Sequence, residues 1–343
     1  MASITQPFVR VIRAGLRRYR QRNEIREEKE KLARYNEAVG TRISWREICR
    51  ARRAVGSRVD EFFYFEFYAK SDAERDAYLT LARQDVIAKR VGDILWPLTI
   101  PGSKVLFDSL FGEFLHRRWC NPSGCTAEEF VRFAASLGEM LVKPADMFQG
   151  IGIYKYRYES EEAALELYHQ LRGRGALVEE ILPQHPQMAK LNPHVLNTVR
   201  VATYTDADDV HILAAAMRTN ARADKCTDNM HGEGDGLACL LDPQTGKVAG
   251  YTYNNRMKRF ETHPLTGIPF MGFQVPLWDE ALDMVREAAR KAYGYNCHWI
   301  GWDVAITPDG PALIEANWRP GTELPQAGGP GIYRQLLELS KKI

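Results

Sequence analysis

Apolar residues alternate with polar ones through much of the C-terminal half of the chain, and this pattern predicts antiparallel strands. In LNTVRVATY the valines alternate with Arg200 and Ala202, so Arg200 projects from one face of a strand. A second strand, VHILAAAMR, ends at Arg218, and GLACLLDPQTGKVAGYTY predicts a hairpin that turns at residues 242–246. This half of the chain is therefore predicted to fold as an antiparallel sheet.

The hairpin predicted over residues 299–321, WIGWDVAITPDGPALIEANWRPG, carries the chemistry. With the bend centred on the aspartate of the Pro-Asp-Gly turn at 308–310, Asp303 falls opposite Glu315. Asn317, two residues beyond Glu315, shares the same face. Two carboxylates that close repel each other unless a cation lies between them, and a hard divalent ion such as Mg²⁺ takes oxygen ligands. The alternative is an ordinary hairpin with solvated acids.

A basic helix is predicted near the start of the chain. Residues 1–60 carry 16 Lys/Arg against 7 Asp/Glu, whereas the net charge of the whole chain is +2. Between the arginines, four apolar residues recur at helical spacing: Phe8, Ile12, Leu16 and Tyr19. Such a helix can lie on an anionic membrane surface, contact nucleic acid, or pack on its own protein or a second subunit. We favour packing, on the protein itself or on a second subunit of a homo-oligomer; peripheral membrane contact remains the alternative, and no nucleic acid partner is expected.

Composition and cysteine usage indicate a cytoplasmic protein with a sizeable core. A chain of 343 residues with 45% hydrophobic content can bury a sizeable core. No window approaches the apolar run needed to cross a bilayer, and the first residues do not lead into a secretory signal peptide. The six cysteines include no CxxC, so reduced thiols are expected. His116, Cys120 and Cys125 lack a fourth ligand at zinc-like spacing, which favours packing roles.

The middle of the chain predicts helices and a phosphate-binding loop. A capping box at Ser71 opens a predicted helix that runs to about Arg90, and Lys104 opens another with the preceding serine as its N-cap. MLVKP is a short strand that ends at Lys143. The loop after it supplies Gly150 and Gly152, which let the backbone approach phosphate oxygens while the lysine contributes a point charge.

From about residue 63 onward, the order of these motifs resembles ATP-grasp enzymes, and most closely the sugar-transfer-associated ATP-grasp proteins. In that superfamily an acid on one strand and Glu-x-Asn on the next hold Mg²⁺ against ATP, and the N-x-R-P-G continuation strengthens the match. The resemblance implies an α/β fold in which ATP lies between two α+β subdomains. It assigns residues 61–103 to an N-terminal subdomain and 104–343 to the nucleotide- and metal-binding region, after the basic helical extension of residues 1–60.

The resemblance also implies roles for individual residues. The metal ligands are Asp303, Glu315 and Asn317, with Mg²⁺ as the ion and Mn²⁺ as an alternative. ALVEEILPQH is the strand and hinge for adenine, with Gln184 or His185 near the ribose. The remaining nucleotide contacts are Lys104, Lys143, Gly150, Gly152, Glu179, Glu180, Ile181 and Leu182. Lys143, Arg218 and Arg319 are the implied catalytic residues, and the expected substrate contacts are Arg200, His231 and Arg319.

The implied reaction activates a small-molecule carboxylate as an acyl phosphate, which an amine captures to give an amide-like bond, ADP and phosphate. Sugar- or polysaccharide-linked substrates are suggested by the family's name alone. One rival is a phosphotransferase that uses the same site on an alcohol. Another is a non-catalytic protein recruited to a membrane or nucleic acid by residues 1–60; the retained Asp303, Glu315 and Asn317 argue against it.

Overall fold

Two antiparallel sheets with helices packed against them make up the computed structural model. It describes residues 5–92, 104–144, 152–225, 227–230, 234–318, 320–321 and 323–342. Within these ranges, no helix combines the length and the apolar character needed to span a bilayer.

The strands form one sheet of four and one of seven. In chain order they are β1 (Trp119–Cys120), β2 (Glu139–Pro144), β3 (Tyr154–Arg157), β4 (Ala176–Glu180), β5 (Thr198–Thr205), β6 (Val210–Asn220), β7 (Gly236–Leu241), β8 (Val248–Asn254), β9 (Arg259–Phe260), β10 (Trp299–Thr307) and β11 (Gly310–Trp318). The smaller sheet has the order β1-β4-β2-β3 and the larger β11-β10-β5-β6-β7-β8-β9. All of these pairings are antiparallel, and those of the larger sheet agree with the antiparallel strands predicted for the C-terminal half of the chain.

The helices cover the outer faces of the sheets and build the N-terminal region. They are α1 (Thr5–Val39), α2 (Trp45–Val55), α3 (Val59–Tyr64), α4 (Asp72–Arg75), α5 (Leu81–Arg90), α6 (Lys104–Leu110), α7 (Ala127–Leu137), α8 (Glu161–Leu171), α9 (Pro186–Ala189), α10 (Trp278–Tyr293), α11 (Glu323–Gln326) and α12 (Tyr333–Leu339). The mixture of helices and antiparallel sheets confirms the predicted fold class.

Helix α10 covers one face of the larger sheet. Its buried alanines and Leu282 join Val199 and Val201 of β5 in the main core, because these valines point toward the helix. The intervening Arg200 points to the opposite face, as its alternation with the valines predicts. On the smaller sheet, α7 and α8 pack against β2 and β4 through Phe130, Tyr168 and their neighbours. The faces turned away from α10 and from α7–α8 are thus available for a site between the sheets.

The predicted helix from Ser71 to Arg90 is wrong in its middle. The capping box at Ser71 forms, yet α4 ends at Arg75 and a separate helix, α5, starts after Thr80. The reason is a tertiary contact with Gln326. Gln326 accepts a hydrogen bond from the Leu79 N–H at 2.9 Å and donates to the Leu79 carbonyl at 3.2 Å, so this backbone pairs with the C-terminal region instead of continuing a helix.

The N-terminal extension packs on the rest of the chain through its second half. Leu32 and Tyr35 of α1, with Ile48 of α2, share a core cluster with the aromatic residues of segment 62–67 and with Met257 of the larger sheet's edge. The backbone of α1 confirms a long helix over Thr5–Val39. The side chains of the predicted apolar stripe, residues 8 to 19, lie outside the described part, and the domain boundaries at residues 60 and 103 stay predictions.

Candidate active site

A cleft with a volume of about 1460 Å³ lies between the inner faces of the two sheets. The smaller sheet contributes Lys143 and Glu179, and the larger sheet contributes Arg218 and both carboxylates of the β10–β11 hairpin. Helices α1 and α3 line it as well. The structure therefore brings most of the described residues predicted for the site into one cavity.

The β10–β11 hairpin places its two carboxylates directly opposite each other. Asp303 pairs with Glu315, as predicted, but the route to this register differs from the prediction. The turn pairs Thr307 with Gly310, which alone would set Asp303 opposite Ile314. A β-bulge at Ile314 shifts the register by one residue and restores the Asp303–Glu315 pair.

Two arginines neutralise Asp303, which is 1% exposed. Arg200 donates through Nη2 to Oδ2 at 2.9 Å and through Nε to Oδ1, and Arg218 donates through Nη2 to Oδ2 at 2.8 Å. Burial opposes ionisation, but these two cations outweigh it and hold the pKa of Asp303 well below its usual range. Arg200 is thus a buried partner of the carboxylate and is not part of a surface ion pair.

Arg218 is oriented by a second contact on the floor of the cleft. Its Nη2 donates to Thr198 Oγ1 at 2.7 Å, and the Thr198 hydroxyl and N–H donate to Asp228 at 2.5 and 2.9 Å. Asp228 also lies 3.7 Å from Arg218 Nε. Because a threonine and an aspartate fix it from behind, the guanidinium is held facing the hairpin carboxylates.

Glu315 lines the cleft directly opposite Asp303. Burial and the neighbouring charge of Asp303 raise its pKa. Asn317 lies two residues on, and its amide nitrogen donates to the Gly301 carbonyl at 3.3 Å. Two carboxylates and one amide on one face provide the oxygen donors that a hard divalent cation prefers. No cluster of three or more His, Cys, Asp or Glu arranged to hold a metal occurs among the described residues.

Across the cleft, Lys143 belongs to a buried ionic network centred on Glu179. Lys143 is 7% exposed and donates to Glu179, which Arg117 also binds at 2.9 and 3.3 Å. Burial alone would raise the pKa of Glu179, but Arg117 and Lys143 lower it. Burial raises the pKa of Asp108, the other partner of Arg117, to about 7.

Arg117 also joins the two sheets. It donates to the carbonyls of Leu313 at 2.5 Å and Ile314 at 3.3 Å, which lie at the bulge of β11. The residue that holds Glu179 therefore also satisfies the carbonyls where the hairpin register shifts. Neither Arg117 nor Asp228 was predicted from the sequence, and no local motif marks either one.

The predicted adenine hinge lies along the same edge of the cleft. Glu180 ends β4 and pairs with Arg118, while Ile181 and Leu182 continue along the cleft wall. Leu182 packs against Ala305 and Ala312. Its N–H has no hydrogen-bond partner in the described parts of the chain.

Of the two residues predicted near the ribose, Gln184 lines the cleft, whereas His185 caps α9 by accepting from the Gln187 N–H at 3.1 Å. Lys104, the first residue of α6, also lines the cleft. Gly152 has a φ of +76°, a conformation that favours glycine. Three predicted site residues lie outside the described residues: Gly150, His231 and Arg319.

Cys120 and Cys125 are partly buried and pack against the core beside the smaller sheet. Cys120 Sγ lies 3.2 Å from Cys125 Sγ, and both are free thiols, as are the other described cysteines. Burial raises the pKa of Cys120 to about 12, which keeps this thiol protonated.

Comparison with known proteins gives one family match. Residues 162–341 match a family model described as sugar-transfer associated ATP-grasp, which covers just over half of the chain. None of the curated proteins compared with the chain matches it.

The chain is also similar to several solved structures at low identity. The ATP-grasp ligase PsnB, complexed with a minimal precursor, is 14% identical over 74% of this chain and 62% of its own, with a TM-score of 0.40. The D-cycloserine synthetase DcsG is 14% identical over 71% and 70%, with a TM-score of 0.42. D-alanyl-alanine synthetase A from Vibrio cholerae is 11% identical over 79% and 66%, with a TM-score of 0.34. The chain thus spans less than two thirds of the length of PsnB and of the Vibrio cholerae enzyme.

Proposed function

The chain belongs to the sugar-transfer associated ATP-grasp family, and from that premise we propose that it is an ATP- and Mg²⁺-dependent ligase that joins a carboxylate to an amine. The observation that carries this proposal is the Asp303–Glu315 pair, which faces the nucleotide-sized cleft from adjacent strands. Cations from both sheets surround the same space. Paired carboxylates that can hold a divalent cation, together with these cationic side chains, suit the chemistry of a nucleoside triphosphate.

The hairpin residues fit a divalent cation. Asp303, Glu315 and Asn317 would hold it, and a cation there would favour the ionised form of Glu315, whose pKa burial and the neighbouring charge of Asp303 raise. When bound, Mg²⁺ supplies positive charge that offsets the negative charge of the ATP phosphates.

The side chains of the cleft would bind and orient the nucleotide. Lys143, fixed by Glu179, presents its ammonium group from the smaller sheet, and Arg218, fixed by Thr198, presents its guanidinium from the larger. Both would stabilise charge that develops on the transferred phosphoryl group. The N–H of Leu182, which has no hydrogen-bond partner among the described residues, and the apolar side chain of Ile181 suit the edge and face of a purine.

The proposed chemistry needs no side-chain nucleophile. A substrate carboxylate oxygen attacks the γ-phosphorus, the bond from that phosphorus to the bridging oxygen breaks, and ADP leaves. The amine nitrogen then attacks the acyl carbon, the bond to the phosphate oxygen breaks, and phosphate leaves while the nitrogen loses a proton. The protein contributes positioning and charge stabilisation in both steps.

A hydroxylamine trap tests this proposal. The protein is incubated with Mg-ATP, a panel of carboxylates that includes sugar acids, and hydroxylamine, which converts an acyl phosphate to a hydroxamate. We expect hydroxamate and ADP in equal amounts with at least one carboxylate. A phosphotransferase would instead release ADP with a phosphorylated alcohol and no hydroxamate, and that result would overturn the proposal.

A further inference from the structure

One side of the cleft is built by the N-terminal region. We name it the N-terminal wall and define it by the cleft-lining residues Lys31, Arg34, Tyr35, Arg58, Asp60, Glu61 and Tyr64. The Tyr35 hydroxyl donates to the Asn255 carbonyl at 3.1 Å, and Tyr64 packs on Tyr253 with ring centroids 5.3 Å apart. The wall is therefore fixed to the larger sheet, and Arg256 of that sheet lines the cleft beside it.

Positive charge from separate parts of the chain converges at this wall. The cations are Lys31, Arg34, Arg58 and Arg256. Lys31 and Arg58 share one carboxylate, Asp60, at 3.5 and 3.4 Å. Arg34 and Arg256 are exposed, and neither forms an ion pair with another residue that the structure describes.

Four of the described acidic residues lie at the same end of the cleft, and two of them are buried enough to have raised pKa values. They are Glu37, Asp60, Glu61 and Glu323. Burial raises the pKa of Glu61 to about 7, and burial also raises the pKa of Glu323. Glu61 is consequently only partly ionised near neutral pH, which reduces the negative charge that faces the four cations.

The wall adjoins the proposed reaction centre. Arg200, which binds Asp303, also donates to the Pro320 carbonyl at 3.0 Å, and the chain continues directly to Glu323. Glu323 interacts electrostatically with Arg200, which binds the hairpin, and with Asp60 and Arg58 of the N-terminal wall. A molecule bound against the hairpin can thus extend to the wall within the same cleft.

We infer that the N-terminal wall, together with Arg256, is a binding subsite for an anionic group on the substrate, a carboxylate or a phosphate distinct from the reacting carboxylate. This inference rests on the proposed ligase function. Guanidinium groups bind both kinds of anion through paired N–H donors, and two of them carry no competing carboxylate partner in the described structure. Residues 31–64 would then select the substrate in addition to stabilising the fold.

The test measures anion binding with the nucleotide site filled. The full chain is saturated with Mg²⁺ and the non-hydrolysable analogue AMPPNP, then titrated with inorganic phosphate or succinate by calorimetry. We expect at least one of these anions to bind, and the Arg34→Gln/Arg256→Gln double variant to bind it about tenfold more weakly or worse, as loss of charge-assisted hydrogen bonds implies. The preferred probe identifies the anionic group as a phosphate or a carboxylate.

Arg53→Gln is the matched control, because Arg53 is an exposed arginine of α2 that does not line the cleft. It should bind the anion as the unmodified chain does. If neither anion binds the unmodified chain, or if the double variant binds as tightly, the inference is wrong. Failure of Mg-AMPPNP itself to bind would count against the ligase proposal. In that case the phosphate and succinate titrations are repeated without nucleotide, in a Lys143→Met background. Weaker anion binding after the Arg34→Gln/Arg256→Gln substitutions would then support the subsite, and unchanged binding would refute it.

Discussion

Lys143 and Arg117 bind the same carboxylate, Glu179, and their replacement by methionine should have different consequences. Lys143→Met leaves Glu179 with both hydrogen bonds from Arg117, at 2.9 and 3.3 Å. The free energy of unfolding should therefore fall by only about 1.5–3 kcal/mol, the contribution of one hydrogen bond to a charged group. Turnover should fall about a hundredfold, or about 2.7 kcal/mol in activation free energy, because a cation that stabilises the phosphoryl group is lost.

Arg117→Met removes much more of the structure's support. It leaves Glu179 and Asp108 without their shared cation and two carbonyls of β11 without a donor. Breaking a buried ion pair of this kind should lower the free energy of unfolding by about 3–5 kcal/mol. Urea denaturation measures stability, and calorimetry with Mg-ATP and ADP release measure nucleotide binding and turnover.

A third variant is Lys104→Met, since Lys104 also lines the cleft, at the first residue of α6. It should reduce turnover less than Lys143→Met. A Lys143→Met protein with a near-normal rate would refute the catalytic assignment. Equal stability losses in the Lys143 and Arg117 variants would refute the account of the network.

Three further predictions concern acid–base behaviour, the extension and a turn. The pKa of Glu315 is raised in the folded protein above its ordinary value of 4.5. The free energy of unfolding of the metal-free protein should therefore decrease as the pH rises above 4.5, because the folded state resists ionisation of this group. Glu315→Gln should remove that decrease, as measured by urea titrations with EDTA. Ile48→Ala, at a site 1% exposed in the extension's core, should lower the free energy of unfolding by about 2–5 kcal/mol; an unchanged melt would show that the extension does not stabilise the fold. Gly246→Ala puts a Cβ 2.4 Å from Trp278 at a φ of +68°, and should cost about 1–3 kcal/mol by thermal melting, whereas an unchanged melting temperature would contradict the described turn.

The features predicted best from the sequence depend on residues that are close along the chain. The Asp303–Glu315 pairing, the strands on either side of residues 242–246 and the alternation around Arg200 follow from period-two patterns and turn residues. The family match confirms the resemblance drawn from the order of these motifs. The bulge at Ile314 was missed because a turn signal alone does not locate an extra residue within a strand.

Features that depend on distant partners were not predictable in this way. Arg117 lies 62 residues from Glu179 and 196 from Leu313, so its role appears only once the two sheets are placed side by side. The interruption of the predicted helix after Ser71 has the same cause, because Gln326 is 247 residues from Leu79. The roles assigned to the site residues remain predictions, and Gly150, His231 and Arg319 lie outside the described residues.

The most direct test of the central claim is calorimetry of Mg-ATP binding to the Glu315→Gln variant, with Asp309→Asn as control. The substitution keeps the side chain's shape and removes one charge from the proposed metal site. Asp309 is an exposed acid at the tip of the same hairpin, so its variant should bind like the unmodified chain. We predict that Glu315→Gln weakens Mg-ATP binding about tenfold or more, because the metal loses one charged ligand. A tenfold loss of affinity corresponds to about 1.4 kcal/mol in binding free energy. Unchanged Mg-ATP affinity together with unchanged turnover would contradict the assignment of the hairpin carboxylates as the metal site.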